Sequence, residues 1–197
     1  MQPGARRAYI FLGVVGVIEV VALIVLLVAP GKPPHTTPIN QVTMQLTSTA
    51  FAHNATIPAI YTCDGSRDRN PPLTISGVPE NAVTLVLIMD DPDVPKVLKQ
   101  DGVFDHWVLY NIPPNTTEVP EGTHVGSVGQ NGRGEQAYTG PCPPKEYEPS
   151  EHRYVFTLYA LDIRIQFEQP PTKAALLSRI QGHVVAQAQL IGRYKKQ

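Results

Sequence analysis

The chain has 197 residues and a formal net charge of −1, with 16 Lys and Arg against 17 Asp and Glu. No whole-molecule positive field is therefore available to hold a polyanion, which argues against nucleic acid as a partner. The length suits one domain with a full hydrophobic core, and the 20 prolines and 15 glycines fall between short β-branched and aromatic runs, as turns of a β protein do.

In chain order, a short N-terminus (1–7) carries Arg6 and Arg7 and leads into the apolar run 8–29. About 22 such residues at 1.5 Å per residue cross a hydrocarbon core of about 30 Å, so the run is expected to be one transmembrane helix. A cleaved signal peptide is the competing reading, but its apolar region is shorter. The arginines before the span place the N-terminus in the cytoplasm and the remaining domain outside, as a single-pass protein of the cytoplasmic membrane. Glu19, near mid-span, is tolerated when protonated or snorkelling, and a helix–helix partner is the alternative.

Residues 30–40 have the composition of a Pro-rich linker, and a domain is expected over 41–197. Strand-like runs occupy 42–47, 57–62, 83–89, 106–112 and 153–161, with turn-rich stretches between them. The run TLVLIM (84–89) lacks alternation and is expected to be central and covered on both faces. After Pro170 and Pro171 a helix is predicted from about Thr172, because Leu177, Ile180, Val184, Ala188 and Ile191 recur at steps of three and four. Gly182 within that stretch marks either close packing or a short break. The expected fold class is mainly β: an antiparallel Greek-key β-sandwich with a C-terminal helix, preceded by the one N-terminal transmembrane helix.

Cys63 and Cys142 are the two cysteines; a disulfide and two buried free thiols both remain open, and lone cysteines without CxxC spacing argue against metal. Asn54 and Asn115 open glycosylation-type triplets, a pattern too frequent to decide anything. The segment Asp91-Pro92-Asp93-Val94-Pro95 follows directly on TLVLIM. It puts two carboxylates at a strand end stiffened by prolines, although a turn cap would read the same way. By the period of two, His106 shares a strand face with Val108 and Tyr110, and His152 and Tyr154 share one with Phe156 and Leu158. Two histidines at strand starts, with an acidic strand end beside them, point to one polar pocket. The glycine-rich stretch 129–134 lacks the strand-to-helix context and the Lys-Ser/Thr ending of a nucleotide loop and reads as a turn lining the pocket region.

Several motifs together resemble the phosphatidylethanolamine-binding proteins, in particular their bacterial and archaeal branch described as Raf kinase inhibitor-like. They are YTCDG (61–65), NPPL (70–73), DPDVP (91–95), DHWVLYNIP (105–113), GPCPP (140–144), HRYVFTLYALD (152–162) and GHVVAQAQLIGRY (182–194), the last similar to that family's terminal helix. The resemblance implies a small anion pocket lined by Asp91, Pro95, His106, Pro143, Pro144, His152 and Tyr154. Its imidazoles and phenol would donate to phosphate oxygens, and its prolines with Trp107 or Phe104 would form apolar walls. Arg133 and Phe104 depart from residues common in relatives, and KEYEPSE (145–151) is longer than the usual link.

The expected function is a membrane-anchored binding protein for a small phosphate-like or carboxylate anion, a phospholipid headgroup among the candidates. Inhibition of a serine protease or carboxypeptidase outside the cytoplasmic membrane, with the protease as partner, is the alternative. No GxSxG, HExxH or nucleotide motif accompanies the cluster, so neither an enzyme nor a cofactor or metal is expected.

Overall fold

The computed structural model describes residues 43–197. The strands are β1 (Gln45–Thr47), β2 (Leu73–Ser76), β3 (Thr84–Asp91), β4 (Phe104–Ile112), β5 (Glu118–Val119), β6 (Ser127–Val128), β7 (Glu151–Leu161) and β8 (Val184–Lys195), and one α-helix, α1 (Lys173–Ile180), lies between β7 and β8. They form a three-stranded sheet in the order β1-β2-β5 and a five-stranded sheet in the order β6-β4-β3-β7-β8. Every ladder within these sheets is antiparallel.

Strand β3 is central in the larger sheet because it has an apolar partner on each face. Leu85, Leu87 and Met89 enter the main core with Leu46, Leu73 and Ile75 of the smaller sheet, while Val86 and Ile88 enter a second core with Leu176 and Ile180 of α1. Successive side chains of a strand point to opposite faces, so a run without alternation is what two covered faces require.

The helix is shorter than the apolar stripe implied. Thr172 caps α1, its side chain accepting from the Ala175 amide at 3.3 Å, and the helix ends at Ile180. Gly182 then adopts φ +82°, a left-handed conformation that ends helices and costs glycine little. From Val184 the chain runs as a strand paired with β7 along its length, through Lys195 opposite Glu151. Val184, Ala188 and Ile191 match a helical step, but Leu190, Gly192 and Tyr194 are buried at a step of two, and pairing with β7 decides in favour of the strand. The terminal helix expected at 182–194 is therefore a strand. The run 57–62 is likewise not a strand: it contains a 3-10 turn at Ala59–Tyr61, and Thr56 makes an isolated parallel bridge to Arg193.

The expected fold class and location need a further correction. Among the described residues no helix is long and apolar enough to cross a membrane. Helix α1 has 8 residues and at 1.5 Å each is about 12 Å long, well short of a hydrocarbon core of about 30 Å. The anchor expected at 8–29, with the linker at 30–40, falls outside the described residues. Nothing in the described fold supports the single-pass, extracytoplasmic placement drawn from it.

The strand assignment of the C-terminal segment has a measurable consequence. Leu190→Ala, at a side chain 2% exposed, is expected to cost about 2–5 kcal/mol of unfolding free energy. Val184→Ala, at a side chain 40% exposed, stays within about 0.5 kcal/mol. Urea unfolding of both variants checks the order, which a continued helix would reverse because its stripe buries Val184 rather than Leu190.

Candidate functional site

The polar residues gather where β3, β4 and β7 end side by side. Asp91 closes β3 on the same face as Leu87 and Met89, is 4% exposed, and accepts the Asp93 amide on Oδ1 at 2.9 Å. Its other oxygen, Oδ2, lies 2.7 Å from His152 Nδ1. A carboxylate offers only acceptors, so Nδ1 carries the proton and Nε2 is directed elsewhere. His152 stands on β7 two residues before Tyr154, and Tyr154 and Phe156 join the main core, as the period of two requires.

His106 reaches the same place by a different device. Trp107 pairs with Met89 and Asp105 with Asp90, so His106 is an extra residue in β4 at a register shift. Such a bulge turns neighbouring side chains to one face. His106 therefore packs on the main-core side, its ring 5.2 Å from that of Tyr154 and 4.8 Å from that of Phe104, while Val108 lies in the core under α1. The face expected to be shared by His106, Val108 and Tyr110 is broken by the bulge. His106 Nδ1 donates to the Thr139 carbonyl oxygen, which leaves Nε2 as an acceptor while the ring is neutral.

These groups line a cavity of about 170 Å³, closed by Arg67, Val94, Phe104, Arg133, Thr139, Gly140, Cys142 and Pro144 around Asp91, His106 and His152. Cys63 and Cys142 form a disulfide with their Cα atoms 5.4 Å apart, tying the loop that bears Arg67 to the wall at 139–144. Of the seven residues expected at the pocket, Asp91, His106, Pro144 and His152 line it. Pro95 and Pro143 do not, Val94 taking the place expected for Pro95, and Tyr154 lies beneath the lining, fully buried. Arg67 was not singled out from the sequence, where its loop DGSRDRNPP carries only turn signals. Asp93, the second carboxylate of DPDVP, binds the Arg153 guanidinium by two hydrogen bonds of 2.9 and 2.6 Å and clamps the loop to β7.

The two imidazoles are driven in opposite directions. Burial holds His106 down to about 4, outweighing the Thr139 hydrogen bond and the nearby Asp91 charge, with Arg133 adding to the depression. Burial also opposes charge on His152, but the hydrogen bond and the charge of Asp91 prevail and raise it above its ordinary value. The Tyr154 phenol is raised by burial first and by the Asp91 charge second. Two buried polar atoms, His152 Nε2 and Tyr154 Oη, have no hydrogen-bond partner of good geometry among the described residues, although Asp91 and the Cys142 backbone lie near the Tyr154 phenol and the Pro149 backbone lies near His152; such atoms are costly to bury unless something else engages them fully. No group of three His, Cys, Asp or Glu side chains among the described residues is placed to hold a metal ion.

Two packed antiparallel sheets with a small histidine-lined cavity at the strand ends define a binding domain. The chain belongs to the phosphatidylethanolamine-binding protein family, whose model matches residues 47–195. A UPF0098 protein of Chlamydia pneumoniae is 44% identical over 154 residues, covering 78% of this chain and 99% of that one. A crystal structure from Chlamydia trachomatis, described as a phosphatidylethanolamine-binding protein homologue, has a TM-score of 0.74 at 43% identity and covers 79% of this chain and 99% of the other. YbcL of Escherichia coli, described as a member of the mammalian family, has a TM-score of 0.68 at 26% identity, covering 78% and 99%.

The depressed His106 predicts a pH effect on folding. The folded value is about 4 against an ordinary 6.5, so between them the unfolded chain binds a proton that the folded chain does not. Stability is then lost as pH falls through this window, by up to about 3 kcal/mol from this group. Wild type is expected to lose that much relative to His106→Gln between about pH 7 and pH 4. Urea unfolding at several pH values checks this, and a constant difference between the two proteins would refute it.

Proposed function

We propose that this domain binds a small anion, a phosphate-like or carboxylate group, in the cavity between Asp91, His106 and His152, and does so without turnover. The observation that carries the reading is the pair of buried, unpartnered polar atoms, His152 Nε2 and Tyr154 Oη. With Nδ1 given to Asp91, whose hydrogen bond and charge favour the protonated ring, His152 when protonated presents Nε2–H to a ligand oxygen, and Tyr154 adds a neutral O–H donor. His106, neutral above about pH 4, offers Nε2 as an acceptor, which a hydroxyl elsewhere on the ligand or a water satisfies. The two donors suit the ionised oxygens of a phosphate or carboxylate. Phe104, Val94 and Pro144 form apolar walls that keep water from competing for those groups.

The size favours a headgroup or free anion over a whole lipid, because about 170 Å³ is below the roughly 300–1,000 Å³ of pockets that enclose drug-sized ligands. A binding role also accords with Cys142, whose sulfur is held in the disulfide and is no free nucleophile. Protease inhibition draws no support from a described loop.

Tyr154→Phe separates ligand binding from folding. It removes one buried, unpartnered hydroxyl and little else, so the variant without ligand is expected to equal or exceed wild type in stability, by up to about 1 kcal/mol. Inorganic phosphate at about a hundredfold its Kd should stabilise wild type by about 2.7 kcal/mol, and the variant should need a several-fold higher concentration for the same rise. Thermal unfolding with phosphate, phosphorylethanolamine and acetate measures this. If none of the three raises the midpoint of wild type, the anion pocket is abandoned and protease inhibition is assayed in its place.

A further inference from the structure

Building on the anion pocket just proposed, we infer that Arg67 and Arg133 form a cationic gate that selects a doubly charged ligand, a phosphomonoester or similar dianion, over a zwitterionic aminoethyl phosphodiester. Both side chains line the cavity from loops far apart in sequence. Neither guanidinium makes an ion pair or hydrogen bond among the described residues. Arg69, Arg153 and Arg193 are by contrast paired with Glu121, Asp93 and Glu151.

The backbone beneath each arginine is tied down although its side chain is exposed. The Arg67 carbonyl accepts the Gly140 amide at 2.6 Å, and Cys63, four residues earlier, donates to the Pro141 carbonyl at 3.0 Å and is disulfide-bonded to Cys142. The Arg133 amide donates to Asn131 Oδ1 at 2.9 Å, and the buried Asn131 amide group bridges the Ala137 carbonyl and the Thr139 hydroxyl. Gly132, next to Arg133, lies so close to the Phe104 ring that a Cβ there would stand 2.8 Å from it, which holds this loop over the cavity wall. Arg133 is also near enough to His106 for its charge to be felt there. Both cations are thus carried to the mouth on backbone that is tied to the cavity wall.

The charge balance decides the class of ligand. Asp91 is the one carboxylate among the lining residues, and its oxygens are engaged by His152 and the Asp93 amide. His152 is paired with that carboxylate, so the two arginines, which have no carboxylate partner among the described residues, are the positive charge left facing the ligand. A phosphomonoester, doubly ionised above its second pKa of about 6, offers a matching charge and the oxygens for two guanidinium contacts. An aminoethyl phosphodiester brings one negative charge and an ammonium that meets two arginines and no free carboxylate.

The test is calorimetric titration of the full chain at about 0.1 M salt with methyl phosphate, dimethyl phosphate and glycerophosphorylethanolamine, for wild type, Arg67→Gln/Arg133→Gln and Tyr154→Phe. Wild type at pH 7.5 should bind the monoester about tenfold or more tightly than either diester. At pH 5 that preference should largely vanish as the monoester dianion takes up one proton and becomes a monoanion. The double arginine variant should lose the preference while binding dimethyl phosphate nearly as wild type does, and Tyr154→Phe should weaken all the probes that bind. Equal binding of monoester and diesters, or a preference that survives loss of both arginines, overturns the gate and leaves the pocket standing. Absence of binding by every probe overturns both.

Discussion

Strand β3 ends in two adjacent carboxylates in a place where neither can simply face water. Because side chains alternate across a strand, Asp90 is turned toward α1 and Asp91 toward the space between the sheets. Each must find a counter-charge close by, since a buried carboxylate without one is strongly disfavoured. Lys173, the first residue of α1, answers Asp90 at 2.9 Å and Asp105 as well. Burial still lifts Asp90 to about 6 against the pull of that ammonium. His152 answers Asp91. One strand end therefore ties the helix to one face of the sheet and organises the cavity at the other.

The two carboxylates have different surroundings. The Asp90–Lys173–Asp105 group docks α1 over the second apolar core and leaves no vacant donor facing the cavity. Asp91 orients an imidazole whose remaining nitrogen is buried and unengaged. The bulge in β4 then brings His106 into the same space with the opposite protonation preference, because the Thr139 carbonyl, a weaker partner than a carboxylate, does not offset its burial. A donor and an acceptor side by side follow from two histidines of equal intrinsic chemistry, distinguished by what each Nδ1 touches.

Rigidity at this site comes from ties between segments remote in sequence. The disulfide, the Gly140–Arg67 backbone hydrogen bond and the bidentate Asp93–Arg153 pair each cross from one loop to another and hold the wall before any ligand arrives. Preorganised donors lose less on binding, because the ordering of the loops has already been met by folding. The cavity of about 170 Å³ thus has most of its polar groups fixed by the fold.

Much of this was legible in the linear chain. Turn-rich composition declared a β protein, an uninterrupted apolar run marked β3 as the doubly covered strand, and the ordered motifs from YTCDG to HRY identified the family and brought Asp91, His106, Pro144 and His152 to one site. The rest depended on partners that local pattern does not contain. The segment after Gly182 has apolar residues compatible with both a helical and a two-residue step, and the length of β7 beside it selected the strand. Period-two counting put His106 on the wrong face because a bulge is defined by the register of the neighbouring strand. Arg67 looked like any turn residue until the disulfide and Gly140 drew its loop against the wall. Sequence determined which side chains were available and how each strand alternates, whereas the protonation preference and direction of each histidine, and the meeting of two arginines at one mouth, were decided only by tertiary contact, since pKa and charge balance depend on neighbours in space.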